Sequence, residues 1–82
     1  MSFYPNPVSN KEVNVNLRFP SLKDTNLSGM LLTRFGTIRE RVNIPVTQGH
    51  ASLPVAGMDD GVYILWLTDG FNVFSGKFIV MP

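Results

Sequence analysis

One stretch restricts the possible folds of this chain more than any other: Gly61 to Thr68, GVYILWLT. It is apolar on both alternating rows and rich in β-branched and aromatic side chains, which pack well on a pleated strand surface. Turn chemistry bounds it, with Asp59-Asp60-Gly61 before and Asp69-Gly70 after. Asp-Gly is a strong hairpin signal, because a two-residue type I′ turn needs residues that accept positive φ. Phe71 to Val80 then reads as the return strand. The last third of the chain becomes a long hairpin that earlier strands must cover.

The earlier chain repeats the same period. In Glu12 to Phe19, Val13, Val15, Leu17 and Phe19 alternate with polar residues, giving one buried and one wet face. Pro20 stops that strand. Ser21 to Ser28 is polar and reads as a loop, with one helical turn expected over Ser21 to Asp24. Met30 to Phe35 and Thr37 to Ile44 read as two strands joined at Gly36, in the left-handed position of a tight turn. Ile38, Val42 and Ile44 are expected on one face. Glu40 falls on that apolar side, so either a bulge shifts the register or Glu40 lies at an open edge. Pro45 to His50 reads as a connection, and Ala51 to Val55 as a short edge strand, since Pro54 cannot donate to a ladder. No helical period persists. The expectation is an all-β chain: a small antiparallel immunoglobulin-like β-sandwich of about six to seven strands.

Composition narrows the function. The 82 residues suit one small domain, residues 1–82, that buries a modest core. The net charge is +1 with no basic cluster, which argues against nucleic acid or an anionic membrane as the main partner. There is no Cys, so disulfides and thiolate chemistry are excluded. No apolar run reaches the ~18 residues of a spanning helix, and membrane insertion is not expected. The start, MSFYPNP, lacks the basic-then-apolar pattern of a signal peptide. Its Met-Ser joins a Pro-rich segment abruptly, as in a domain excised from a larger protein; a complete small protein is the alternative. Pro5, Asn6 and Pro7 force an extended path, read as the hand-over from a linker over residues 1–7.

Catalysis finds little to work with. His50 is the sole His and reads as an exposed loop residue. Asp59-Asp60 reads as turn chemistry, because nothing supplies the six or more oxygens that calcium takes. Asp69 is a turn residue. No catalytic, metal or cofactor site is expected. Trp66 stands out. Tyr63, Leu65 and Leu67 share one row of the central strand, and Val62, Ile64 and Trp66 the other. A two-layer sandwich has one core, so one row faces outward. Either loops or a neighbouring strand cover it, or it is an exposed apolar patch that marks a partner surface, with weak homo-association as a consequence.

Read together, four stretches resemble a known family. They are Tyr4-Pro5-Asn6-Pro7, the hairpin glycine Gly36, Asp60-Gly61-Val62-Tyr63-Ile64-Leu65 and Gly76-Lys77-Phe78-Ile79-Val80. They are similar to the YPNP opening, the central-hairpin glycine, the AGxYxL signature and the basic-plus-apolar closing strand of the type IX secretion system C-terminal sorting domains of Bacteroidetes-type bacteria. The resemblance covers nearly the whole chain, in order. Two departures stand out: Asp59-Asp60 replaces the family's usual Pro-Ala, and Lys77 is the sole basic residue near the end.

The resemblance implies an immunoglobulin-like sandwich at the end of an exported protease, glycanase or adhesin. It implies a folded address, read by the outer-membrane translocon after transit through the periplasm. Removal by a surface sortase-type peptidase follows, with the passenger reaching the cell surface or the medium. Lys77, Phe78 and Ile79 are then the expected contacts with the secretion machinery. Gly61 makes the turn into the central strand, and Tyr63 packs under it. The competing reading is an immunoglobulin-like binding module of a surface hydrolase or adhesin that holds protein or polysaccharide, the latter through Trp66 and Tyr63.

Overall fold

A computed structural model describes residues 1–9, 11–18 and 23–81 of the chain. Seven strands form two antiparallel sheets, and no helix occurs among the described residues. The smaller sheet contains β1 (Ser2–Tyr4), β2 (Glu12–Asn16) and β5 (His50–Pro54), in the order β1-β2-β5. The larger contains β3 (Thr25–Thr33), β4 (Ile38–Val46), β6 (Gly61–Thr68) and β7 (Val73–Val80), in the order β4-β3-β6-β7. Strands one, two and five thus face three, four, six and seven, an immunoglobulin-like layout.

The core lies between the sheets. Val13 and Val15 point in from β2, and Leu53 from β5; Leu27, Leu31, Ile44 and Val46 point in from β3 and β4. Tyr63, Leu65 and Leu67 come from β6, with Phe78 and Val80 from β7. Each set follows the period of two that places alternate side chains on one face. Val8, Leu17 and Val55 close the ends of this core from outside the strands.

Several local expectations are corrected. Thr25 to Ser28 is the start of β3, not loop, because Leu27 fills the core and the backbone pairs along β4 from Thr25↔Val46 onward. The single helical turn expected there, and Phe19 with Pro20, lie at least partly outside the described residues. Pro45 and Val46 belong to β4. Pro45 is tolerated because β4 is an edge strand, where a missing N–H breaks no ladder. The connection to β5 shrinks to Gln48-Gly49, where both φ are positive (53° and 77°) and Thr47 and His50 exchange backbone hydrogen bonds of 2.9 Å.

Asp69-Gly70 is a turn of another kind. Thr68 pairs with Val73, so the loop is the four residues Asp69 to Asn72, and the return strand begins at Val73. Asp69 holds this wider loop by accepting the backbone N–H groups of Phe71 (2.8 Å) and Asn72 (2.6 Å) on one carboxylate oxygen. Thr68 Oγ1 accepts Gly70 N–H at 3.0 Å and donates to the Asn72 carbonyl at 2.8 Å. Side-chain capping here outcompetes the two-residue turn.

The Glu40 question has a double answer. β4 is an edge, and the pairing slips between Leu31↔Glu40 and Leu32↔Ile38, which leaves Arg39 as the extra residue of a bulge. A one-residue slip inverts the faces. Ile38 therefore does not share a face with Val42 and Ile44. It points outward and is 49% exposed, while Ile44 is buried.

Candidate functional site

The amino-terminal motif and the closing strand form one unit. β1 pairs with β2, and its Phe3 ring lies tilted at 5.0 Å from that of Phe78, over the space left by Gly76. The stretch expected as a hand-over is thus built into the domain. The peptide bonds before Pro5 and Pro7 are both cis. Beyond them, Asn6 Oδ1 accepts the Ile79 N–H at 2.9 Å, and Val8 N–H donates to the Ile79 carbonyl at 2.8 Å. Met81 N–H then donates to the Val8 carbonyl at 2.9 Å. The segment caps the outer edge of β7 at its carboxyl end, covering groups that an edge strand otherwise leaves open.

Two expected contact residues face the interior. Phe78 is fully buried between the sheets, 6.0 Å from the Tyr63 ring. Tyr63 is buried, and its phenol donates a 2.6 Å hydrogen bond back to the Asp59 carbonyl. This is a tyrosine corner, a device that ties the start of a sandwich strand to the turn before it. Gly61 opens β6 opposite Val80. Neither side chain of the buried pair lies on the surface.

Lys77 and Ile79 point the other way, onto the outer face of the larger sheet. The register brings them to Val62, Ile64 and Trp66, with Ile64↔Lys77, Val62↔Ile79 and Trp66↔Ser75 directly opposite. Those three apolar residues are half-buried, shielded in part by β3, where Met30 opposes Trp66 and Leu32 opposes Ile64. The two groups of residues singled out from the sequence are therefore one surface. Sequence reasoning missed Met30, Leu32 and Arg41, although Met30-Leu31-Leu32 carries the signal already noted in GVYILWLT: apolar residues on both alternating rows.

A depression of about 240 Å³ opens on this face beside Trp66, walled by Met30, Arg41 and Thr68. Gly29 shapes its floor. A Cβ there would fall on the Trp66 carbonyl oxygen and within 2.9 Å of Leu67 Cα, so only glycine allows β3 and β6 to approach this closely.

The polar residues considered for chemistry are dispersed. His50 is exposed at the start of β5, opposite Asn16. Asp59 and Asp60 precede β6, and Asp59 contributes its carbonyl to Tyr63. No group of three or more His, Asp or Glu side chains gathers among the described residues. The hydrogen bonds from the Asn72 backbone, the Asn72 side chain and the Phe71 backbone hold the Asp69 carboxyl below its ordinary value, as expected for a turn-capping carboxylate.

The family model for the secretion system C-terminal sorting domain matches residues 2–81. No curated protein and no solved structure matches the chain. A match spanning nearly the whole sandwich, from β1 to the last residues of β7, leaves one assignment: the chain belongs to the C-terminal sorting domain family, the folded signals of the type IX secretion system.

Proposed function

We propose that this domain directs an attached passenger across the outer membrane, after transit through the periplasm, by presenting the outer side of its closing hairpin to the translocon. A sortase-type peptidase then removes it at the cell surface, with the cut ahead of the domain. One observation carries the reading: in a chain matched to the sorting family over residues 2–81, Lys77 and Ile79 are exposed on β7 while Phe78 between them is buried. The closing strand supports the core with one row and offers the other to a partner.

Family membership supports this reading: sorting domains are not a catalytic family, and a sorting signal implies interaction with the secretion machinery. The polysaccharide reading loses one of its two aromatic residues, since Tyr63 is buried and its hydroxyl is engaged by Asp59.

The test is a reporter fused ahead of the complete chain, expressed in a type IX-competent host. Wild type should reach the surface or the medium, and Lys77→Ala should hold the reporter in the periplasm with the domain folded. A wild-type fusion that stays inside the cell defeats the reading. Equal export of both forms removes Lys77 from the contact surface.

A further inference from the structure

The outer face of the larger sheet has a charge pattern as well as an apolar one. Two neighbouring cross-strand rows run over all four strands. One reads Arg41, Met30, Trp66, Ser75; the next reads Ile38, Leu32, Ile64, Lys77. Each row is apolar in its middle and carries a cation at one end, and the cations stand on opposite edge strands, β4 and β7. Three inter-strand steps and one two-residue step along the strand separate them by about 16 Å at the Cα atoms. Neither Arg41 nor Lys77 is in an ion pair among the described residues; the one salt bridge there joins Arg39 to Glu40. No carboxylate belongs to either row.

We propose that this face docks a protein surface of the export machinery that presents an apolar ridge with a carboxylate toward each end. The proposal rests on the reading of the domain as a sorting signal, and names the chemistry of what reads it. An apolar side chain of the partner enters the depression beside Trp66, whose wall includes Arg41. Carboxylates about 16 Å apart meet Arg41 and Lys77, setting the orientation in which the ridge lies across the strands.

Other occupants fit less well. A second copy brings no carboxylate in either row, so laying these rows on their own copies leaves Arg41 and Lys77 without acidic partners there. An anionic lipid surface is bound by basic residues in clusters of four to eight, whereas these two lie at opposite edges.

The experiment uses the reporter fused to the complete chain in the type IX-competent host. Arg41→Glu and Lys77→Glu, singly and together, place like charges against the partner's carboxylates. Export by the double variant is expected to fall by about tenfold or more, since like-charge contacts at an interface cost several kcal/mol. Arg41→Lys with Lys77→Arg should retain export. So should Lys11→Glu, a reversal beside the other sheet. Protease resistance of the retained domain checks the fold. If the double reversal is degraded, Arg41→Gln with Lys77→Gln decides: loss of export with an intact domain supports the proposal, and wild-type export overturns it. Wild-type export by an intact double reversal also overturns it, while leaving the sorting function standing. Failure of the wild-type fusion itself overturns both. A wild-type fusion that is dimeric by light scattering and becomes monomeric on reversal overturns the proposal in favour of a second copy.

Discussion

Asn6 Oδ1 accepts the backbone N–H of Ile79 at 2.9 Å, although the two residues lie 73 positions apart. The same Ile79 presents its side chain outward beside Val62 and its carbonyl to Val8. The opening motif thereby holds the strand proposed to be read.

Loss of that acceptor is measurable. Asn6→Ala should lower stability by about 1 kcal/mol, the usual net value of one hydrogen bond, while Asn6→Asp keeps an acceptor and should lie closer to wild type. Denaturant midpoints rank the three, and hydrogen exchange at the Ile79 amide should quicken in Asn6→Ala. Unchanged exchange there means that the Val8 bonds alone secure the edge.

The tyrosine corner gives a second test. Tyr63→Phe keeps the ring against Phe78 and removes only the donor to Asp59, leaving a carbonyl to find water. The expected loss is about 1–2 kcal/mol with the fold retained. A circular dichroism melt that superimposes on wild type shows that the corner adds nothing.

Gly29 tolerates no side chain, because the obstacle is the β6 backbone rather than a movable side chain. Gly29→Ala should cost about 3 kcal/mol or more and disturb the Trp66 environment first. Tryptophan fluorescence of the single Trp reports it directly. An unaltered emission maximum with an unaltered melt contradicts the close approach of β3 and β6.

Adjacent residues on β7 should behave oppositely. Lys77→Ala is expected to change stability by no more than about 0.5 kcal/mol, and Phe78→Ala to cost about 3–5 kcal/mol, because only the second leaves a cavity in the core. Similar losses for both mean that the outward and inward rows of β7 are misassigned.

Asp69 contributes a pH dependence of known sign. Its folded-state carboxyl is held below the usual carboxylate range by the Asn72 and Phe71 hydrogen bonds. The charged form is therefore favoured in the fold. Its contribution is complete above the unfolded carboxylate value and is lost as pH falls through the lowered folded value. Asp69→Asn should remove this part of the acid transition, so the stability gap between the two proteins should narrow as pH falls from neutral into that range. A gap independent of pH excludes the capping carboxylate as its source.

Period-two patterning was enough to read an all-β sandwich and the long final hairpin, because alternation along one strand follows from backbone geometry alone. It was not enough for the β6–β7 loop, where the Asp69 carboxylate competes with the two-residue turn. Nor was it enough for Thr25 to Ser28, where a single Leu27 and the ladder to β4 outweigh polar composition. The face proposed for docking lay further out of reach. Alternation says which residues share one side of one strand. It does not say which strands become neighbours, in what register, or where a bulge inverts the sides. The extra residue Arg39 turns Ile38 outward, the β4-β3-β6-β7 order sets Arg41 and Lys77 at opposite edges of one apolar surface, and the cap on Ile79 arrives from the other end of the chain. Those relations are made by packing and backbone pairing between distant segments, so only the tertiary structure decides them.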